Sequence, residues 1–167
     1  MITRYLNALF SWLFIFVFLG EAYGGEPYIT HPPKGWECIN DPSQLPQKVK
    51  VIFIGSGTTK NPFTPSLNIA CEETLLPTHE YLNLAKSYHE GQGKTHCALL
   101  GKLKTDAGGA ELLQIDRASQ WGDVRFIQAV LVQEGCAYVV TATCLKNDFS
   151  MLSSQIFKAI QSLRIKD

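Results

Sequence analysis

The chain has 167 residues, of which 46% are hydrophobic and 18% are charged. Its 15 lysine and arginine residues balance 15 aspartate and glutamate residues, so the formal net charge at pH 7 is zero. Because no run of like charge interrupts this balance, the sequence lacks the basic patch typical of nucleic-acid-binding proteins and that class is excluded.

The first 24 residues have the pattern of a secretory signal peptide. Met1–Arg4 carries one positive charge, Ala8–Gly20 is apolar apart from one serine, and small residues follow at Ala22 and Gly24. The apolar run is shorter than the ~20 residues that span a bilayer, and no cysteine follows it for acylation. We therefore expect cleavage near Gly24/Gly25 and a periplasmic or secreted protein, in contact with the membrane only transiently through this leader. A retained anchor stays open as the alternative.

The remaining residues, 25–167, are predicted to form a single domain. Residues 25–35 are rich in proline and glycine and carry no predicted element. Three strands should follow, each with alternating or wholly apolar residues: Trp36–Cys38, Lys48–Ile54 and Ser66–Glu72.

A helix is predicted at Thr78–Glu90, with Thr78 as its cap and Gly91 ending it. Four strands should then form an antiparallel meander, because the links between them are only long enough for hairpins. These strands are predicted at Cys97–Thr105, Ala110–Ala118, Val124–Val132 and Cys136–Cys144. An apolar stripe predicts a last helix at Asp148–Leu163. The order β-β-β-α-β-β-β-β-α indicates an α+β layered fold with a largely antiparallel sheet.

Motifs for chemistry are weak in this sequence. Gly91–Thr95 ends in Gly-Lys-Thr but follows a helix instead of preceding one, so a helix end is the better interpretation than a phosphate loop. The four histidines have no metal-ligand spacing. Glu72 and Glu73 are expected at a solvent-facing strand end. We predict no catalytic residue, no cofactor and no metal ligand, and the protein is not expected to be an enzyme.

Three aromatic residues are candidates for lining a ligand cleft beside the first helix: Tyr81, Tyr88 and Trp121. The alternative is that they belong to the core or its edge.

Five cysteines follow the predicted leader, and each is a candidate for a disulfide or a free thiol: Cys38, Cys71, Cys97, Cys136 and Cys144. An odd number leaves at least one unpaired. Cys136 and Cys144 are eight positions apart on one predicted strand, about 26 Å at 3.3 Å per residue, so they cannot pair with each other. Burial of all five as small apolar residues is the alternative.

Several short segments occur in an order that resembles the PsbP/Mog1/DcrB-like superfamily, in particular its exported, DcrB-type bacterial members. These segments are Pro33–Trp36, Pro65–Ile69, Trp121–Gly122 before Gln128–Val130, Gly135–Thr143 and Ala159–Leu163. The resemblance implies an αβα sandwich with two main helices around an antiparallel sheet of about six to seven strands. It also implies an accessory or interaction role without catalysis, and it transfers no functional residue to this chain.

The leading hypothesis is therefore an exported, non-catalytic interaction domain of the bacterial envelope, whose partner is an unknown protein or envelope component. One alternative is a small-ligand-binding protein with a pocket between the sheet and helix 78–90. A second is a thiol-dependent redox protein that uses an unpaired cysteine.

Overall fold

The computed structural model describes residues 24–56 and 63–166, and these residues contain nine strands and two helices. Apart from Gly24, the predicted signal peptide lies outside the described residues. The strands are β1 (Glu26–Ile29), β2 (Glu37–Ile39), β3 (Val49–Ile54), β4 (Ser66–Glu73), β5 (Thr95–Thr105), β6 (Gly108–Ser119), β7 (Gly122–Gln133), β8 (Cys136–Leu145) and β9 (Leu163–Lys166). The helices are α1 (Thr78–Gly91) and α2 (Phe149–Gln161), and short 3₁₀ turns lie at Pro42–Gln44 and Lys146–Asp148. None of these helices is long and apolar enough to cross a bilayer.

Seven of the strands form one antiparallel sheet in the order β2-β3-β4-β8-β7-β6-β5. The predicted meander is confirmed, since β5 to β8 follow one another as hairpin neighbours. At the β7–β8 turn, Glu134 and Gly135 both have positive φ values, 51° and 75°. Such a turn matches the twist of the strands it joins.

The two helices lie on opposite faces of this sheet, which confirms the predicted αβα sandwich. Along β6, Leu112 packs in the apolar cluster that contains Ile160 of α2, whereas the next residue, Leu113, packs with Leu82 of α1. Neighbouring residues of a strand point to opposite faces, so the two clusters are separate cores. We call these surfaces of the sheet the α1 face and the α2 face.

Strands β1 and β9 were not predicted and form a separate two-stranded antiparallel sheet. The predicted last helix extends too far, because α2 ends at Gln161 and Leu163 begins β9. Ser162 marks the change: its hydroxyl donates to the carbonyl of Ala159 at 2.8 Å and accepts from the backbone N–H of His31 at 3.0 Å. Each of these strands is four residues long, and its partner lies at the other end of the chain, so local sequence carries little signal for the pairing.

Thr78 does not cap α1 as predicted. Pro77 occupies the N-cap position, and the Thr78 hydroxyl instead accepts a hydrogen bond from the backbone N–H of Val132 at 3.1 Å. This bond ties the start of α1 to β7 beneath it.

Candidate functional site

A cavity of about 530 Å³ lies where the N-terminal segment, the β2–β3 connection and β4 meet. Its walls include charged, amide, apolar and thiol side chains, among them Glu26, Leu45, Gln47, Lys50 and Cys71. Glu26, Gln47 and Lys50 are exposed to solvent, whereas Cys71 is buried. Sites for small molecules usually have volumes of about 300–1,000 Å³, so the cavity has the size of a binding site.

A β-bulge shapes one wall of this cavity. The register of β3 against β4 shifts between Val49 and Val51, and Lys48 just before the bulge has a φ of 74°. The carbonyl of Lys48 accepts a hydrogen bond from the backbone N–H of Cys71 at 2.9 Å. A bulge changes the direction of nearby side chains. Here the Lys48 side chain points toward Glu72, the residue that follows Cys71 in β4.

Glu72 is buried, contrary to the predicted solvent-facing strand end. Its carboxylate accepts hydrogen bonds from the Lys48 ammonium at 3.1 Å and from the Tyr81 hydroxyl. Burial raises the pKa of Glu72, and the bond with Lys48 opposes that rise. Its position follows from packing against α1, which the sequence of β4 alone does not show.

A row of polar side chains crosses the α1 face of the sheet. Asn68 of β4 lies opposite Thr141 of β8, which lies opposite Gln128 of β7. Gln128 donates to the Thr141 hydroxyl at 3.5 Å, and both residues are buried. Two atoms in this region, Ser66 Oγ and Asn68 Oδ1, are buried without a hydrogen-bond partner in the described structure. We call Ser66, Asn68, Gln128 and Thr141 the polar row.

The polar row is unusual because each unsatisfied buried polar group costs about 1–3 kcal/mol. Sequence reasoning missed it, although single polar residues inside otherwise apolar strands, such as Gln128 between Ile127 and Ala129, were a usable signal. Each such group in a native protein calls for an explanation, such as a functional role or a bound water or ion.

Several solved structures share this arrangement of helices and sheet, although neither a family model nor a curated protein matches the sequence. LpqN, involved in cell envelope biogenesis of Mycobacterium tuberculosis, superposes with a TM-score of 0.59 at 15% identity, covering 86% of each chain. Cyanobacterial PsbP (CyanoP) from Synechocystis sp. PCC 6803 gives a TM-score of 0.53 at 14% identity, covering 92% of this chain and 99% of that one. The Saccharomyces cerevisiae Ran-binding protein Mog1p gives 0.53 at 15% identity, covering 89% and 94%.

The chain has the PsbP/Mog1/DcrB-like fold. The predicted resemblance is thereby confirmed for the architecture, and at these identities the likeness concerns the fold alone.

The three aromatics predicted to line a cleft contact three different neighbours. Tyr81 is buried and donates its hydroxyl proton to Glu72. The Tyr88 ring is half exposed and lies edge-on to the ring of the next residue along α1, with centroids 5.6 Å apart. Trp121 lies in the β6–β7 turn, 5.9 Å from the ring of Phe63. These contacts do not join the three rings to one another, and a shared cleft stays a prediction.

A cluster of charges at the other end of the sheet has a structural role. Arg125 of β7 donates two hydrogen bonds of 2.7 Å to Asp116 of β6, and Lys146 lies 3.3 Å from the same carboxylate. The guanidinium also lies over the ring of Phe149, 4.9 Å from its centroid. The bonds from Arg125 lower the pKa of Asp116, with a smaller contribution from Lys146. The cluster therefore joins β6 and β7 to the start of α2.

The five candidate cysteines are all thiols in the described structure. Cys38 is exposed, and the other four are buried. Burial raises the pKa of Cys144 to about 12 and also raises that of Cys97. The thiols of Cys71 and Cys136 lie side by side.

Proposed function

We propose that this chain is an exported, non-catalytic interaction domain that binds a protein or another component of the cell envelope. The observation that carries the proposal is the cavity between the N-terminal segment, the β2–β3 connection and β4. Its mixture of aliphatic walls with exposed Glu26, Gln47 and Lys50 suits a short segment of a partner that carries both apolar and polar groups. LpqN is involved in cell envelope biogenesis and Mog1p binds Ran, and these two similar structures support an interaction role for this fold.

The partners of two carboxylates and the environment of one thiol support binding over catalysis. Glu72 is engaged with Lys48, and Asp116 is engaged with Arg125, so both carboxylates have structural partners. The raised pKa of Cys144 disfavours its thiolate, which is the nucleophilic form of a cysteine. This weighs against a thiol-dependent redox protein that uses Cys144.

Export rests on the predicted leader, and N-terminal sequencing of the protein recovered from its own host tests it. We expect the mature chain to begin at Gly25 and to be found outside the cytosol. An intact Met1 in a membrane fraction would favour the retained anchor, and an intact Met1 in the cytosol would contradict export.

Site-specific photo-cross-linking tests the binding site. A photoreactive amino acid at Gln47, on the cavity wall, should cross-link to one discrete partner when the full chain is expressed in its host. The same amino acid at Met151, which is 74% exposed on α2, is the matched control. Leu45→Glu should abolish the Gln47 adduct by placing a charge on the apolar wall. Adducts that are the same from both positions, or that persist in Leu45→Glu, would contradict the cavity as the binding site.

A second candidate function is small-ligand binding at the polar row, favoured by the unpartnered Ser66 and Asn68 atoms. Native mass spectrometry of the protein from its own host should then show a copurifying small molecule. Thr141→Val, which removes a hydroxyl from the row, should lose that molecule, whereas Ser153→Ala on α2 should retain it. A ligand-free mass for the wild-type protein would leave the interaction role as the better proposal.

A further inference from the structure

Two of the five thiols lie in contact across the paired strands β4 and β8. The Sγ atoms of Cys71 and Cys136 are 3.1 Å apart, and both side chains are almost completely buried. Cys71 lies opposite Tyr138 in the register, so Cys136 is its diagonal neighbour on the same face of the sheet. A disulfide has an S–S length of about 2.05 Å, so a movement of about 1 Å brings the two sulfurs to bonding distance.

We propose that Cys71 and Cys136 form a disulfide in an oxidising environment and thereby lock β4 to β8. The remaining cysteines are placed elsewhere: Cys38 is exposed on the edge strand β2, and Cys97 packs on the α1 face. Cys144 lies toward the far end of β8, in the core beneath α2. These three residues are assigned as thiols, which accounts for the odd number of cysteines.

The bond forms by thiol–disulfide exchange with a disulfide oxidant, either a small-molecule disulfide or that of an oxidoreductase. The thiolate of one cysteine attacks the oxidant, forming a mixed disulfide and releasing the first half of the oxidant as a thiol. The second cysteine then attacks its neighbour's sulfur and expels the other half as a second thiol. The protein loses two hydrogens as two protons and two electrons, and the oxidant gains them.

The environment of the pair indicates when this reaction occurs. Burial, together with the hydrogen bond to Cys136, raises the pKa of Cys71 to about 12, so little thiolate exists in the folded protein at neutral pH. Both side chains are also almost completely buried, so an oxidant has little access to either sulfur in the folded protein. Oxidation should therefore be fast while the chain folds and much slower once the reduced protein is folded.

Oxidative refolding with mass spectrometry tests the proposal. The full chain is reduced, unfolded, diluted into glutathione redox buffer, quenched with N-ethylmaleimide under denaturing conditions and mapped without reduction. We expect three alkylated cysteines, the five present minus the two joined, and one linked peptide pair containing Cys71 and Cys136. Cys38→Ser should keep this link, and Cys71→Ser should lose it.

Five alkylated cysteines in the refolded wild-type protein, or a link that involves Cys38, Cys97 or Cys144, would overturn the proposal. The locking role has its own measurement, the urea midpoint of the oxidised wild-type protein before and after reduction. Reductant should lower this midpoint but leave that of the double variant Cys71→Ala/Cys136→Ala unchanged. A wild-type midpoint that does not respond to reductant would contradict the locking role even if the link is found.

Discussion

The two faces of the central sheet differ in how completely their side chains are satisfied. On the α2 face, one continuous apolar cluster joins the sheet to α2 and to the β1–β9 pair through residues such as Leu67, Ile160 and Leu163. On the α1 face, a smaller apolar cluster lies beneath the helix, next to the polar row and the buried carboxylate of Glu72. The α2 face is therefore the larger and more completely satisfied apolar core, whereas the α1 face holds buried polar groups that cost stability, as is expected at functional or strained sites.

The largest expected effect of a single substitution is on the α2 face. Ile160 is fully buried, and Ile160→Ala should lower the free energy of unfolding by about 2–5 kcal/mol, because it removes apolar contacts and leaves a cavity. Urea denaturation measures this loss. Met151→Ala on the same helix is the matched control and should stay within about 0.5 kcal/mol, since Met151 is exposed. Equal losses at both positions would contradict the assignment of the core to this face.

On the α1 face, we expect a substitution to have the opposite sign. Ser66→Ala removes a fully buried hydroxyl that has no hydrogen-bond partner in the described structure, so it should raise the free energy of unfolding by about 1 kcal/mol. The same urea measurement detects this gain. A loss of comparable size would show that the hydroxyl has a partner, such as a bound molecule. The buried polar groups of the α1 face would then be more completely satisfied than the structure indicates.

Local patterns predicted most of the elements, and contacts between distant segments explain what was missed. The glycine at the end of α1, the short turns of the meander and the apolar stripe of α2 are signals within a few residues, and the elements they predicted are present. In contrast, the buried position of Glu72 involves Lys48 from the β2–β3 connection and Tyr81 from α1, both distant from β4 in the local pattern.

The candidate site was predicted less well for the same reason. The Cys71–Cys136 contact joins two residues that are 65 positions apart in the sequence, and it depends on the register between β4 and β8. The cavity depends on a bulge in β3 and on the position of the N-terminal segment. No pattern within a single segment encodes such pairings, so hydrophobic periodicity predicts layers but not the sites between them.

The carboxylates of Asp116 and Glu72 should affect the pH dependence of stability with opposite signs, because their pKa values are shifted in opposite directions. Hydrogen bonds from Arg125 lower the pKa of Asp116 in the folded state. As the pH falls below the ordinary aspartate range, the unfolded chain takes up its proton first, and stability is lost until the folded pKa is passed. The stability advantage of the wild-type protein over Asp116→Asn should therefore shrink between about pH 5 and pH 2, as measured by urea denaturation across that range. An advantage that grows on acidification would contradict the assignment.

Glu72 should show the opposite sign, as the smallest of these effects and the most direct probe of the α1 face. Burial raises its folded pKa, so as the pH rises through the ordinary glutamate range the unfolded chain ionises first and the wild-type protein loses stability. Glu72→Gln keeps an oxygen that accepts from Lys48 and Tyr81 but does not ionise, so its stability relative to the wild-type protein should increase with pH until the folded pKa is passed.

Tyr81→Phe removes one hydrogen bond to the carboxylate and should raise the pKa of Glu72 further, which carboxyl NMR titration measures. If the pKa of Glu72 instead lies below the ordinary glutamate value, its bonds with Lys48 and Tyr81 outweigh burial, and the α1 face is better satisfied than its apolar packing suggests.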